Sequence, residues 1–452
     1  MKSISVLGLG YIGLPTASVL ATHGYIVHGV DITAAVIDII NQGDIHIEEP
    51  GLKTLVQAAV NSGNLKAYTS PQPADVYIIA VPTPITVDKQ ADLRCVEAAA
   101  QSIVPLLKAG DLVILESTSP PGTTRDFLCP ILAKSGLTLG TELMVAHCPE
   151  RVLPGKIIKE LTQNSRIIGG INPASAEAAK TVYTSFVEGD IHLTDATTAE
   201  MVKIMENTYR DVNIALANEL ARLAPSLKVN AWDVVRFANL HPRVNLHNPG
   251  PGVGGHCISV DPWFVVEKFP ETARLIRTAR EINDAMPDYT YQMLLDMVKD
   301  IEKPKITLLG LTYKPDVDDV RESPALKIVE KVRQNSRLRL SLYDPHVKHY
   351  SEELSGLEAA FSESDCVLLA VDHTEFKYLN PRQLARLMRR PQVIDTKNAL
   401  NRLDWEEAGF AYRLLGCDFE TPFITGVKPP VVSKTSQSAS FSAEALALSA
   451  TP

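Results

Sequence analysis

The first half of the chain alternates short apolar runs with segments whose apolar residues recur every three or four positions. The runs of strand length are residues 4–7, 26–30, 76–81, 112–116 and 143–148. The segments with helical periodicity are residues 14–23, 52–61 and 94–108. Strands that alternate with helices are typical of a parallel sheet with helices on both faces.

The longest helical pattern runs from residue 197 to about residue 224. Thr197 and Glu200 match the S/T-x-x-E capping box, which predicts that the helix starts there. Apolar residues then recur at spacings of three and four, as at Met201, Ile204 and Met205. A helix of this length can link two domains or pair with its copy in a second subunit, and the pattern allows both.

After Pro304 the chain repeats the order of its first half. Residues 305–310 again run into a glycine, and residues 338–343 end in Asp344 as residues 26–30 end in Asp31. We therefore predict an α/β fold of two Rossmann-like, doubly wound parallel-sheet domains joined by a long central helix. The predicted domains are residues 1–196, 197–300 and 301–427, and a tail rich in Pro, Ser and Ala, residues 428–452, is predicted to be disordered.

Composition fits several globular domains: 452 residues, of which 45% are hydrophobic and 21% are charged. The net charge of -9 comes without a basic tract, which argues against nucleic acid as a partner. The apolar runs are too short to span a membrane, and the first residues read as a strand and not as a secretion signal. Membrane insertion is therefore not expected, and the cytoplasm is the expected compartment.

Six cysteines are scattered along the chain, and none forms a Cys-x-x-Cys pair. This spacing suits neither a disulfide framework nor a zinc site. Free thiols are expected, and no metal.

Gly8, Gly10 and Gly13 follow the first strand directly and open a helix. In this context the first glycine permits a tight turn, the second lets the backbone approach a pyrophosphate, and the third allows the helix to pack closely on the strand. Asp31 ends the next strand, where a carboxylate accepts hydrogen bonds from a ribose and repels a 2′-phosphate. The pattern predicts NAD rather than NADP; turn glycines without a ligand are the alternative.

A glycine-rich loop over residues 249–257, which can bring its backbone very close to a ligand, delivers Cys257, and Asp261 follows it. A thiolate is a strong nucleophile when neighbouring charges lower its pKa. A buried structural cysteine at a tight turn is equally compatible with this segment, and His256 is more readily explained as structural.

Lys203 and Asn207 lie four residues apart on the long helix, so that an ammonium and an amide share one face. Such a pair can stabilise an oxyanion. A solvated polar stripe is the alternative.

Six motifs now stand in one order along the chain. They are Gly8-x-Gly10-x-x-Gly13, the segment from Glu116 to Thr124, Pro149-Glu150-Arg151, Lys203-x-x-x-Asn207, Gly254-Gly255-His256-Cys257 and Lys314-Pro315-Asp316-x-Asp318-Asp319-x-Arg321. This series resembles the UDP-glucose/GDP-mannose dehydrogenase family along nearly the whole chain, apart from the tail.

The resemblance implies a four-electron oxidation at C6 of a UDP-sugar, with two NAD molecules reduced in turn and a uronate product for surface polysaccharide synthesis. Cys257 would form a thiohemiacetal and then a thioester. Lys203 and Asn207 would stabilise the C6 oxyanion, and Asp261 would orient water and move protons. Thr118 and Glu150 would hold water for thioester hydrolysis.

The resemblance also implies binding residues and domain roles. Residues 1–196 would bind NAD, residues 197–300 would carry catalysis and form a homodimer, and residues 301–427 would bind the UDP-sugar. The expected cofactor contacts are Gly8, Gly10, Tyr11, Ile12, Gly13, Asp31, Thr83, Thr118 and Arg321. The expected substrate contacts are Glu150, Arg151, Lys203, Asn207, Arg243, Gly254 and Lys314.

The second domain supports a mononucleotide ligand independently. Its first turn, Gly310-Leu311-Thr312-Tyr313-Lys314, lacks the dinucleotide fingerprint although the strand pattern is repeated. Lys314 and Arg321 near this turn suit phosphates; two surface residues in salt bridges are the alternative.

His256 before the nucleophile and Asp261-Pro262-Trp263 after it depart from the pattern of the UDP-glucose enzymes and resemble the UDP-N-acetylhexosamine branch. UDP-N-acetyl-D-mannosamine is the expected substrate, and UDP-N-acetylglucosamine and UDP-glucose are the alternatives. A two-electron hydroxyacid dehydrogenase and a non-catalytic NAD sensor are more remote, because neither needs Cys257.

Overall fold

A computed structural model describes residues 2–348, 350–351 and 354–418. The tail predicted to be disordered, residues 428–452, lies outside the described residues. Across the part of the chain described, no helix is both long enough and apolar enough to cross a membrane.

The first domain is built on an eight-stranded sheet in the order β3-β2-β1-β4-β5-β6-β7-β8, parallel except for the antiparallel pair β6 and β7. Its strands are β1 (Ser3–Leu7), β2 (Ile26–Val30), β3 (Leu65–Tyr68), β4 (Val76–Ile79), β5 (Leu112–Leu115), β6 (Met144–His147), β7 (Arg166–Gly170) and β8 (Ile191–Asp195). Its helices are α1 (Gly13–Thr22), α2 (Ala34–Asn41), α3 (Leu52–Asn61), α4 (Arg94–Ile103), α5 (Cys129–Leu132), α6 (Ile157–Gln163) and α7 (Pro173–Tyr183). Strands β3 to β6 have the doubly wound order, so the carboxyl ends of β1, β4 and β5 share one edge.

Helices cover both faces of this sheet, because successive residues of a strand point to opposite sides. Val6 and Ile78 face the core formed with α1, α3 and α6. Leu7 and Ile79, the next residues, face the core formed with α4 and α5. This two-sided burial explains why β4 and β5 are apolar throughout and show no alternation of polar residues.

The long helix α8 spans Ala196–Leu223, and its start differs from the sequence prediction. Asp195 is the N-cap: its carboxylate accepts hydrogen bonds from the backbone N–H (3.0 Å) and the hydroxyl (2.6 Å) of Thr198. The capping box of Thr197 and Glu200 is therefore wrong. Asp195 ends β8 and takes the cap position first, which leaves Thr197 inside the helix.

Four further helices complete the central segment, α9 (Ala231–Ala238), α10 (Asp261–Lys268), α11 (Arg274–Asp284) and α12 (Met286–Met297). Helix α8 packs against α10 and α11. The buried Arg280 guanidinium donates to Asp211 at 2.5 Å, and the amide of Asn283 donates to the same carboxylate at 2.8 Å. Asn218 donates to Asn283 and accepts from the backbone N–H of Gly250, each at 2.8 Å. This network anchors the start of the glycine-rich loop to α8.

The second domain repeats the fold on a five-stranded parallel sheet in the order β10-β9-β11-β12-β13. Its elements are β9 (Lys305–Leu309), α13 (Pro324–Gln334), β10 (Arg339–Tyr343), α14 (Leu357–Phe361), β11 (Cys366–Leu369), α15 (Pro381–Ala385), β12 (Gln392–Asp395), α16 (Arg402–Glu407) and β13 (Ala411–Leu414). The predicted fold of two doubly wound domains joined by a long helix is confirmed. Within the described residues the second sheet has no counterpart of β3, which gives it the other common doubly wound order.

Candidate active site

A cavity of about 1010 Å³ lies where the carboxyl edges of the two sheets face each other. Tyr11 and Ile12 line it from the first domain, Lys203 from α8, and Tyr313 and Lys314 from the second domain. Open parallel sheets bind ligands at this edge, and the volume suits a nucleotide-sized ligand.

Two of the three fingerprint glycines, Gly8 and Gly13, occupy positions that require glycine. Gly8 has a φ of +92°, and a Cβ there would lie 2.6 Å from the carbonyl oxygen of Ala80. A Cβ on Gly13 would lie 1.8 Å from the carbonyl oxygen of Gly8, so only glycine lets α1 pack this closely. Gly10 has open space where its Cβ would be, at the amino end of α1, where a phosphate is favoured. The turn therefore fits a dinucleotide.

Asp31 and Asp344 hold equivalent positions at the ends of β2 and β10. Asp31 accepts from the backbone N–H of Leu9 at 3.1 Å, and Asp344 accepts from that of Leu311 at 2.6 Å. Asp344 is buried and also contacts the His373 ring at 3.1 Å, whereas Asp31 is only partly buried. Asp31 can therefore still accept hydrogen bonds from a ribose, whereas the carboxylate of Asp344 is already engaged by the His373 ring.

Cys257 lies at the cavity wall, one turn before the start of α10. Its carbonyl oxygen accepts from the backbone N–H of Asp261 at 2.8 Å, which fixes the thiol and the carboxylate on one turn. Asp261 is buried, and the side-chain amide of Asn207 donates to it. Thiol, carboxylate and amide therefore form one group.

Three polar side chains of α8 point to this group at positions i, i+4 and i+7. Lys203 lines the cavity and is nearly buried, and Asn207 contacts Asp261. Arg210 also lines the cavity and donates to the side-chain oxygen of Asn207. Two cations and an amide thus lie beside the cysteine, an arrangement that can stabilise an oxyanion.

The surroundings shift both titratable groups of this site upward. Burial raises the pKa of Asp261 to about 6, although Lys203, Asn207 and Arg210 act to lower it. Desolvation and then Asp261 raise the pKa of the Cys257 thiol, against the lowering effect of Lys203 and Arg210. The resting thiol is therefore protonated at neutral pH, and Asp261 is the adjacent base that can take its proton.

The glycines before Cys257 allow the loop to approach the second domain. This role differs from the predicted one, which was a close approach to a ligand. A Cβ on Gly254 would lie 2.5 Å from the carbonyl oxygen of Glu322, and one on Gly255, whose φ is +83°, would lie 2.9 Å from the Tyr313 ring. The close contact is thus to protein atoms, where the sequence had suggested a ligand. The second domain therefore helps to place Cys257.

Lys314 and Arg321 reach the cavity from the second domain, as predicted for ligand contacts. The ammonium of Lys314 donates to the carbonyl oxygen of Pro154 at 3.1 Å, across the gap between the domains. Arg321 pairs with Asp319 at 2.6 Å and lies over the Tyr11 ring, 5.7 Å from its centroid. The same Asp319 lies 3.7 Å from His256.

Other expected site residues lie behind or beside the cavity lining. The hydroxyl of Thr83 donates to the carbonyl oxygen of Thr118 at 2.6 Å, at the edge where β4 and β5 end. Glu150 is buried and pairs with Arg166 at 2.7 Å. Arg151 is held by Glu206 at 2.5 Å.

Arg243 is exposed, on the segment that follows α9. The structure therefore brings Cys257, Asp261, Lys203 and Asn207 together, and it does not bring Arg243 to them.

Sequence reasoning missed Arg210 and Glu49. Arg210 carried a signal, since it is seven residues from Lys203 and lies on the same helical face. Glu49 carried none: it is buried and accepts from the backbone N–H groups of Gly155 (2.7 Å) and Ile157 (2.8 Å), far away in sequence.

One group of potential metal ligands lies at the edge of the second sheet, formed by Asp316, His346 and His373. The Nδ1 of His373 accepts from the backbone N–H of Asp316 at 2.9 Å, and its Nε2 lies 3.1 Å from Asp344. Both ring nitrogens are thus engaged, so the group is better explained as a hydrogen-bonded cluster.

A dinucleotide-binding sheet, a second nucleotide-type sheet and a cysteine between them define an NAD-dependent dehydrogenase. The chain belongs to the UDP-glucose/GDP-mannose dehydrogenase family, whose NAD binding domain matches residues 2–187, its central domain residues 197–285 and its UDP binding domain residues 307–402.

The chain is similar to enzymes of the N-acetylhexosamine type. It is 52% identical to the UDP-N-acetyl-D-mannosamine dehydrogenase of Methanococcus vannielii, over 92% of this chain and 97% of that protein. It is 50% identical to the NDP-N-acetyl-D-galactosaminuronic acid dehydrogenase of Ralstonia nicotianae, over 88% and 96% of the two chains. The solved UDP-N-acetyl-mannosamine dehydrogenase of Staphylococcus aureus superposes with a TM-score of 0.86 at 47% identity, covering 93% of this chain and all (100%) of that chain.

Proposed function

We propose that the protein oxidises the C6 alcohol of UDP-N-acetyl-D-mannosamine to the uronate, using NAD and a covalent intermediate on Cys257. The observation that carries this proposal is the position of Cys257 beside Asp261, Lys203 and Asn207, in a cavity shared by the NAD-binding and UDP-binding domains. A thiol in this setting has no use in a simple alcohol oxidation.

The first oxidation converts the alcohol into an aldehyde. The Gly8 turn and Asp31 would hold NAD, which would supply the hydride acceptor for each of the two oxidations, with a fresh NAD for the second. The alcohol loses its hydroxyl proton to water in this first step, together with the hydride from C6. Lys203 and Asn207 stabilise the C6 oxygen as negative charge develops on it.

The second oxidation needs the cysteine. Asp261 takes the thiol proton, Cys257 Sγ bonds to the aldehyde carbon, and the C6 oxygen takes up a proton to give a thiohemiacetal. Loss of hydride from C6 and of the hydroxyl proton then gives a thioester. A covalent adduct also keeps the aldehyde from escaping.

Hydrolysis completes the reaction: water adds to the thioester, the carbon–sulfur bond breaks, and Cys257 regains its proton. Asp261 lies on the same turn as Cys257, and we assign it the task of orienting the water. Thr118 and Glu150 are proposed to act from the edge of β5 and β6, with Glu150 held in place by Arg166.

The choice of sugar rests on the relatives and on Arg210. Relatives at 49 to 52% identity carry the name UDP-N-acetyl-D-mannosamine dehydrogenase. The Arg210 guanidinium reaches the cavity beside Asn207 and can donate to a neutral oxygen such as that of an acetamido group. An N-acetylgalactosamine nucleotide is the second candidate, because a relative at 50% identity is named for that sugar series.

The experiment that tests this function compares kcat/KM for UDP-N-acetylmannosamine, UDP-N-acetylglucosamine, UDP-N-acetylgalactosamine and UDP-glucose, with the products identified by mass spectrometry. The proposal expects the mannosamine nucleotide to lead by at least about 10-fold, a difference of about 1.4 kcal/mol. Preference for the galactosamine nucleotide would reassign the sugar. No product from any of the four would remove the enzyme function.

We also propose a homodimer that forms through α8 and α9 and acts in the cytoplasm. Large apolar side chains are exposed on this face: Leu216, Leu223, Leu227, Phe237 and Leu240. Exposed apolar patches of this kind are typical of interfaces. Arg243 follows α9 and is proposed to reach the partner's cavity. The cytoplasm is supported by the six cysteines, which are scattered along the sequence without a Cys-x-x-Cys pair, as suits a reducing compartment.

A further inference from the structure

Glu200, which does not cap α8, lies buried against the loop that follows β5. Its carboxylate accepts from the backbone N–H of Thr124 at 2.7 Å and from the Thr124 hydroxyl at 2.6 Å. It also accepts from the backbone N–H of Gly122. Three donors from one short loop thus converge on one buried side chain.

Lys268 holds the same loop from the other side. Its ammonium donates to the carbonyl oxygen of Pro121. Gly122, which follows Pro121 and itself donates to Glu200, has a φ of +90°, and a Cβ there would lie 2.8 Å from the Lys268 nitrogen. The loop is therefore clamped between a carboxylate and an ammonium.

The loop connects this clamp to the cofactor edge of the first sheet. Ser117, at its start, donates through its hydroxyl to the carbonyl oxygen of Val81 at 2.7 Å, and Thr118 accepts from Thr83 at 2.6 Å. Residues after β4 and β5 are thus tied together at the edge where Gly8 opens the dinucleotide turn.

The two clamping residues belong to the helices that carry the reactive groups. Glu200 is one helical turn before Lys203 and two turns before Asn207 on α8. Lys268 ends α10, the helix whose first residue is Asp261. The loop is thus fixed to both catalytic helices.

We propose that Glu200 and Lys268 are positioning residues that set the distance between the bound cofactor and the C6 carbon for hydride transfer. The proposal rests on the proposed function, because it needs a hydride donor in the cavity. Neither residue is expected to touch substrate or cofactor. Misplacement of reacting groups by about 1 Å can slow a reaction by about 100-fold.

The side chain at position 200 must be a carboxylate, because three hydrogen-bond donors of the loop point at its oxygens. Glu200→Gln keeps the shape but turns an N–H₂ group toward one of them, which sets donor against donor. Lys268→Met removes the second contact to the loop at a side chain that is 40% exposed, so its effect on folding is expected to be smaller than that of a change at buried Glu200.

The test measures hydride transfer directly, as the single-turnover rate of NADH formation in a stopped-flow instrument, with saturating NAD and C6-protiated or C6-dideuterated substrate. The dissociation constant for NAD and the melting temperature are measured alongside. Glu177→Gln, the same change at an exposed position of α7, is the matched control.

We expect Glu200→Gln to slow hydride transfer by about 10- to 100-fold, with a full deuterium effect and an NAD dissociation constant within about 2-fold of the wild type. Lys268→Met should slow it by about 3- to 10-fold. Rates within about 2-fold of the wild type in both variants would overturn the proposal, as would NAD affinity that falls in step with the rate.

If Glu200→Gln does not fold, Lys268→Met decides by the same readouts. Absence of NADH formation by the wild type would instead reject the proposed function, so the two failures are distinguishable.

Discussion

Asp31 and Asp344 lie at equivalent positions of a duplicated fold, but their carboxylates have different roles. Each accepts from the backbone of the first turn of its sheet, but only Asp344 also contacts a buried histidine. The sequence predicted the position of both and the role of Asp31. It could not predict that His373, which is distant in sequence, contacts the carboxylate of Asp344.

Asp31→Asn should weaken NAD binding by about 10-fold, because a charged acceptor for the ribose hydroxyls becomes neutral. The discrimination against NADP should shrink, since the repulsion of the 2′-phosphate is lost. Dissociation constants for both cofactors, measured by titration, check this. Asp38→Asn, exposed on α2, is the control, and an unchanged preference for NAD in Asp31→Asn would contradict the ribose assignment.

Asp261 should give the reaction an acidic limb in its pH profile near pH 6, because its buried carboxyl has a pKa of about 6 and must lose its proton to act as a base. The rate should rise as pH increases through 6. Asp261→Asn should lose this limb and lower kcat by about 100-fold or more. A limb that persists in Asp261→Asn would assign it to another group.

The raised pKa of Asp261 should also make the free energy of unfolding depend on pH. Its folded pKa is above the unfolded value, so the folded state is stabilised as pH falls through 6 and is penalised above it. Asp261→Asn should therefore raise the free energy of unfolding by roughly 1 to 3 kcal/mol at pH 8, and the gain should shrink toward pH 5. Urea unfolding at both pH values measures this, with exposed Asp88→Asn as the control.

At the scale of elements, α8 was predicted as a helix within one residue of its ends, but its polar residues were only partly understood. Periodicity placed Lys203 and Asn207 on one face. The capping rule failed for Glu200, because a local motif does not register a loop that lies 76 residues earlier in the sequence. Residues that contact distant elements are where local patterns stop being informative.

The exposed apolar face of α8 and α9 predicts that a charge there prevents dimer formation. Leu216→Glu should shift the protein toward the monomer in light scattering coupled to size exclusion, because a dimer would bury the carboxylate. Tyr378→Glu, at an exposed position of the second domain, should leave the assembly unchanged. A monomeric wild type at micromolar concentration, or a dimeric Leu216→Glu, would contradict the proposed dimer.

At the scale of the whole molecule, the active site exists only where the domains meet. The duplication, the cofactor turn and five strands of the first sheet (β1, β2, β4, β5 and β6) followed from strand and helix periods together with glycine positions, whereas β3, β7 and β8 did not. The contacts between the two domains at the cavity could not be predicted in this way. Examples are the contact of Lys314 with Pro154 and that of Lys348 with Glu48 at 2.8 Å. They join residues 160 and 300 positions apart, and no local pattern predicts these pairings.

The central claim is a four-electron oxidation through Cys257, and the most direct test is the number of NADH molecules formed per molecule of UDP-N-acetyl-D-mannosamine consumed. The account predicts two NADH and one uronate for the wild type. It also predicts a loss of uronate formation in Cys257→Ala by roughly 10⁴-fold or more, because the nucleophile is gone. One NADH per sugar in the wild type, or uronate formed by Cys257→Ala at the wild-type rate, would contradict it.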